Sequence, residues 1–263
     1  MKIIVCVKQV PDTNEVRINQ ETGTLIREGV PSIINPDDKN ALEAALVLKD
    51  ETGAKVSVVS MGPPQAADAL KEAIAMGADH AYLVSDRAFG GSDTWATATI
   101  LAAAIEKIGD YDLILCGRQA IDGDTAQVGP EIAEFLGIPQ ITYAKHIECD
   151  GESLNVTRFT ETGDYKIRTK LPVLLTAIKE LNEPRFPTVQ GIFRAYDGDV
   201  EIKMLGLSDL DIDQTQIGLK GSPTNVYRSF VPVKSKQSEI IEGNTDSEKA
   251  ETLIEKLLQA NLI

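Results

Sequence analysis

The twelve residues from Gly117 to Val128, Gly-Arg-Gln-Ala-Ile-Asp-Gly-Asp-Thr-Ala-Gln-Val, come directly after the apolar run Leu113-Ile114-Leu115-Cys116. A buried strand turning through a polar, glycine-bearing loop into a helix leaves backbone N–H groups free for a phosphate. Ligands of open parallel sheets collect at such carboxyl ends of strands. Gly117, Arg118, Gln119, Ala120, Ile121, Asp122, Gly123, Asp124, Thr125, Ala126, Gln127 and Val128 are therefore candidate nucleotide contacts. Asp124 with Gln127 three residues on fits a helix N-cap and its return bond, which uses that charge locally and leaves Asp122 for a ribose hydroxyl. A capped turn with no ligand has the same sequence.

Other loops carry chemistry of the same kind. Lys8 leaves the first strand ahead of Gln9-Val10-Pro11-Asp12-Thr13 and can meet a phosphate or a reduced flavin, or lie solvated. Asn35-Pro36-Asp37-Asp38 combines an N-cap, a proline at the first helical position and two first-turn acids, which suffices as a helix start without a ligand. In Ser60-Met61-Gly62-Pro63-Pro64, Gly62 lets a ligand approach the backbone. In Asp86-Arg87-Ala88-Phe89-Gly90-Gly91-Ser92-Asp93-Thr94, two glycines precede a hydroxyl-rich helix start. Arg87 is placed for charge and Phe89 for stacking, an arrangement suited to a diphosphate, whereas the plain alternative is a turn capped by Ser92 or Asp93.

The elements that position these loops alternate. Strands are expected at residues 2–7, 55–60, 81–85 and 112–117, and helices at 37–51, 64–76, 93–107 and 124–136. Strands separated by single helices make a doubly wound, mostly parallel α/β sheet. Residues 140–149, 154–159, 165–170 and 173–178 read as antiparallel strands added to it, with turns at Asp150-Gly151 and Thr162-Gly163. From Glu180 to Ser222 no period is sustained, which reads as an arm. A closing helix over Ser247–Ala260 carries the stripe Ala250, Leu253, Ile254, Leu257, Leu258 and needs a cover, from its own sheet or from another subunit. The division is a binding domain over 1–180, a recognition segment over 181–197 and an arm with helix over 198–263.

Composition limits the function. The chain of 263 residues is 43% hydrophobic and 25% charged, with a net charge of -14. That charge opposes nucleic acid and anionic lipid. No apolar stretch reaches membrane-spanning length, and Met1 to Lys8 reads as a first strand, so a cytoplasmic protein is expected. The 3 cysteines and 2 histidines form neither a metal spacing nor a nucleophile motif, and no metal or catalytic side chain is assigned.

Val7-Lys8-Gln9-Val10-Pro11-Asp12, Asn35-Pro36, Ser60-Met61-Gly62-Pro63, Gly117 to Asp122 and Leu181-Asn182-Glu183-Pro184-Arg185-Phe186 together resemble the beta (small) subunit of electron transfer flavoprotein, over essentially the full length. The resemblance implies a partnership with an FAD-bearing alpha subunit. It also implies an AMP pocket at Cys6, Val7, Asn35 to Asp38, Met61 and Gly117 to Val128, or, in electron-bifurcating members, an FAD in the same place. The Arg87 to Thr94 loop resembles the bifurcating type. In that type the subunit takes hydride from NADH and sends electrons to ferredoxin or flavodoxin and, through the alpha-subunit FAD, to an acyl-CoA dehydrogenase, an activity of the complex alone. The segment 181–195 resembles the family's partner-recognition loop, with Val189 as anchor and Pro184, Phe186 and Ile192 beside it. The family often has leucine at the Val189 position. Two rival readings are a non-bifurcating subunit holding structural AMP, and an adenine-nucleotide-binding stress-type module.

Overall fold

The computed structural model describes residues 1–12, 31–151, 153–197, 200–227 and 238–263. The chain opens with β1 (Lys2–Cys6), then β2 (Gln9–Pro11) and β3 (Ser32–Ile34), which pair antiparallel as a separate ribbon. Three α/β steps and a further helix follow: α1 (Pro36–Thr52), β4 (Lys55–Met61), α2 (Ala67–Met76), β5 (His80–Val84), α3 (Thr94–Ile108), β6 (Leu113–Gly117) and α4 (Val128–Phe135). Next come β7 (Gln140–Cys149), β8 (Ser153–Arg158), β9 (Tyr165–Lys170) and β10 (Val173–Ala177). The remainder supplies α5 (Val189–Tyr196), β11 (Ile202–Leu205), the single turn α6 (Gly218–Gly221) and α7 (Asp246–Gln259).

The main sheet has 9 strands in the order β11-β5-β4-β1-β6-β10-β7-β8-β9. The chain begins at β1 and builds outward on both sides, so the loops leaving β1 and β6 part from one another at the switch point where such folds bind ligands. Both faces are covered, which explains the apolar runs. Ile3, Val5, Leu113 and Leu115 enter the core under α1 and α2, while Ile4, Cys6, Ile114 and Cys116 enter the one under α3 and α4.

The strands after residue 137 depart from the expected antiparallel addition. β10 lies inside the sheet, parallel to both β6 and β7, and the antiparallel ladders are confined to β7–β8 and β8–β9. All five residues of β10 are buried, the signature of a strand covered on both faces. The nearby hairpin turns obscured it.

The arm is also more ordered than its composition indicates. It contains α5 and β11, and β11 extends the sheet in parallel beside β5. Both are short, and α5 contains Gly191, so no period could build up. α7 begins and ends one residue ahead of the expected Ser247–Ala260, and none of its residues is buried. Among the described residues, no helix is long and apolar enough to cross a membrane.

Candidate functional site

The carboxyl ends of β1, β4, β5 and β6 lie on one edge because these strands are parallel neighbours, and their loops rise together there. Two side chains from the start of α1 join the rim. Asp38 accepts the amide of Lys8 at 2.8 Å and the amide of Gly117 at 3.0 Å, joining the ends of β1 and β6. Asn35 donates to the Gln119 carbonyl at 2.8 Å and accepts the Ile121 amide at 3.0 Å. It makes no side-chain cap bond to α1, so its expected capping role gives way to shaping the 117–128 loop. Gly117 permits this closeness, since a Cβ there would lie 2.6 Å from the Asp38 amide. Burial pushes the Asp38 carboxyl up to about 7, even though hydrogen bonds from Lys8, Asn35 and Gly117 pull it down.

At the same edge, Lys8, Gln9 and Pro11, Met61 and Gly62, and Asp122 line a cleft of about 410 Å³. That is within the usual range of roughly 300–1,000 Å³ for small-molecule sites. Two sequence expectations change here. Asp122 is not free, since it takes the Lys8 ammonium at 2.7 Å across the cleft. Asp124 does not cap a helix beginning at 124; α4 starts at Val128 after Gln127, and Asp124 accepts the Gln119 amide group at 2.8 Å. Asp124 and Ala126 instead adopt left-handed backbone, with φ of 50° and 54°. Alternating hand turns successive amides toward one side. Among the described residues, the amides of Thr125, Ala126, Gln127 and Val128 find no partner.

The loop after β5 reaches the same edge by a different construction. Phe89 is buried in the core under α3, so its ring is packing and not a stacking surface, contrary to expectation. Arg87 is exposed. The Gly218–Ser222 segment holds the carbonyl side of this loop: the Leu219 amide donates to the Gly90 carbonyl at 3.2 Å and the Gly218 amide to the Ser92 hydroxyl at 3.1 Å. Asp93 caps α3 through the Ala96 amide at 3.0 Å. The amides of Gly91, Ser92 and Thr94 keep no partner among the described residues. Gly91, at φ 78°, could not carry a side chain without strain. The covering segment carries one cue in the sequence, Gly218 four residues ahead of Ser222.

The rim fits a phosphate-bearing cofactor on its own observations. Two sets of unpartnered amides stand at the starts of α3 and α4, and Asp37 Oδ2 and Arg118 Nε are both buried without a hydrogen bond, 3.3 Å apart as an ion pair. Burial raises the Asp37 carboxyl while Arg118 draws it down. Cys6 and Val7 are buried beneath the rim, and Pro36 opens α1. Ala120, Ile121 and Gly123 complete the outer loop, with Ile121 exposed. Thr13 lies outside the described residues. Among those residues no cluster of metal-ligating side chains occurs.

Away from the rim, α5 presents Val189 at its first position, 73% exposed, with Phe186, Ile192 and Phe193 also exposed beside it. Pro184 is half-buried.

The electron transfer flavoprotein domain family matches residues 22–203. The chain is 57% identical to the electron transfer flavoprotein subunit beta of Thermoanaerobacterium thermosaccharolyticum and 58% identical to that of Clostridium acetobutylicum, in each case over 100% of both chains. It is 54% identical, again over 100% of both, to the caffeyl-CoA reductase-Etf complex subunit CarD of Acetobacterium woodii. Such full-length agreement, arm included, removes the stress-type module as a reading.

Proposed function

The chain belongs to the electron transfer flavoprotein family as a beta subunit, and from that premise we propose that its strand-end rim holds FAD and that it works as the NADH-oxidising, electron-bifurcating half of an alpha/beta complex. The observation that carries the reading is the convergence of two amide cradles, Gly91 to Thr94 and Thr125 to Val128, on one edge of the sheet. A mononucleotide needs one such cradle, and a dinucleotide uses both.

In this reading Asn35 to Asp38, Met61 and Gly117 to Val128 would hold the AMP half, and Arg87, Gly90, Gly91, Ser92 and Thr94 would hold the remainder. When bound, the flavin supplies hydride acceptance from NADH and delivery of the two electrons apart, one to ferredoxin or flavodoxin and one through the alpha-subunit FAD to an acyl-CoA dehydrogenase or reductase. The chain's own residues bind and orient. The amides of Thr125 to Val128 offer donors to one phosphate and those of Gly91, Ser92 and Thr94 to the next. Arg87 balances negative charge from the solvent side. Lys8, now held by Asp122, is free to turn to an anion if that pair opens, which leaves the Asp122 carboxylate to a ribose hydroxyl. No side chain acts as acid or base. The apolar face of α5 meets the partner flavoenzyme, consistent with the name of the caffeyl-CoA reductase relative, and α7 packs on the alpha subunit.

Counting cofactors released from the purified heterodimer tests the reading. Two FAD per complex is expected; one FAD with one AMP would leave an ordinary, non-bifurcating beta subunit.

A further inference from the structure

α5 is built inside out. Val189, Ile192, Phe193 and Tyr196 recur at the i, i+3, i+4 and i+7 positions of one helical face, and they are 73%, 44%, 62% and 63% exposed. A surface helix ordinarily turns such a stripe inward. Here the inward side is Gly191, which abuts the Ala75 carbonyl, Arg194, which donates to the Ala78 carbonyl at 3.0 Å, and Ala195, the helix's one buried residue. The helix is therefore seated on α2 by close backbone approach and one buried alanine, with its large apolar side chains taking little part.

Polar contacts fix it at its upstream end. Asn182 and Asn40 of α1 exchange hydrogen bonds, Asn40 Nδ2 to the Asn182 carbonyl at 2.7 Å and Asn182 Nδ2 to the Asn40 carbonyl at 3.0 Å. Three residues on, Arg185 places its guanidinium around the Glu43 carboxylate, Nε at 2.9 Å and Nη2 at 3.0 Å, while its amide donates to the same group at 2.9 Å. Nη2 also reaches Asp50 at 2.9 Å. Glu43 is buried, and a desolvated carboxylate is a poor source of net stability; a fork of this kind defines geometry. We propose that Arg185, through Glu43, is a positioning residue for the protein partner: it sets the angle at which the apolar face of α5 is offered, without touching the partner or the cofactor. The inference rests on the reading of α5 as the partner-docking face.

The test uses the intact alpha/beta heterodimer with its cognate acyl-CoA-processing flavoenzyme as electron acceptor. Arg185→Ala raises the KM for that flavoenzyme about tenfold, leaving kcat and released cofactor unchanged. Arg185→Lys fails to rescue, because an ammonium cannot span the Glu43 oxygens and Asp50 together. In a Val189→Asp background, Arg185→Ala adds less than it does alone, as expected when both act through one surface. Should Arg185→Ala not assemble, Glu43→Gln carries the same comparison. An unchanged KM in the clamp variant, alongside a raised one for Val189→Asp, overturns the clamp and spares the docking face. An unchanged KM for Val189→Asp overturns both. Parallel loss of kcat or cofactor in Arg185→Ala, or full rescue by lysine, assigns Arg185 a general structural role and also overturns the proposal.

Discussion

The rim of the sheet and the outer face of α5, the two recognition surfaces proposed for this chain, are built on opposite principles. At the rim the exposed groups are backbone amides, and the residues that matter, Gly117, Asn35 and Asp38, are those that bring strand ends and loops close together. On α5 the exposed groups are apolar side chains, Val189, Ile192, Phe193 and Tyr196, on a helix whose first turn is capped by the Thr188 hydroxyl. The rim should therefore be fragile toward added atoms, and α5 toward changed or truncated side chains. α7 shows a third condition: its stripe is uncovered, like that of α5, and the alpha subunit is the proposed cover.

Gly117→Ala is the harshest challenge to this contrast. Its methyl would lie 2.7 Å from the Asp37 carbonyl carbon, so α1 must shift, at a cost of about 3 kcal/mol and with loss of bound nucleotide. A thermal melt and cofactor assay at wild-type values would refute the packing argument. Asp38 makes a prediction in pH. Burial raises its pKa from 3.8 in the unfolded chain to about 7 in the fold, so its protonated form is favoured by folding. Its contribution is complete below the unfolded value and is lost as pH rises toward 7, with little change above that. Denaturant titrations of wild type and Asp38→Asn should differ in slope against pH across this window; parallel curves would show the carboxyl to be ionised throughout. On the other surface, Phe193→Asp is expected to change stability by less than about 0.5 kcal/mol and to raise the partner KM severalfold, measured with the intact heterodimer. Equal damage to the melt and to docking would erase the distinction between the two surfaces. The smallest effect is expected of Arg87→Ala, a modest loss of FAD retention or of NADH reduction rate, since the side chain is exposed and screened. Full flavin content with unchanged kinetics would remove it from the site.

The sheet was legible wherever sequence showed two-sided burial. The runs Ile3 to Cys6 and Leu113 to Cys116 mark central strands by continuous apolarity. Val173 to Ala177 carries the same mark, broken only by Thr176, yet its place beside β6 depends on a long-range parallel pairing that local turn signals cannot report. At the site, the glycines and the loop positions were readable, because close backbone approach demands particular residue types. Side-chain partners were not. Lys8 with Asp122, Asn35 with the 119–121 backbone, and Arg185 with Glu43 are each joined across 84 or more residues, and Asn and Asp serve local caps equally well by composition. Phe89 was misread for the related reason that an aromatic beside a glycine loop suits either stacking or the core.

The most direct test is the absorption spectrum of the copurified heterodimer during NADH titration, with the released cofactors counted. The expected result is two FAD per complex and bleaching of the flavin band on addition of NADH. One FAD accompanied by one AMP, with a band that NADH leaves unchanged, would contradict it.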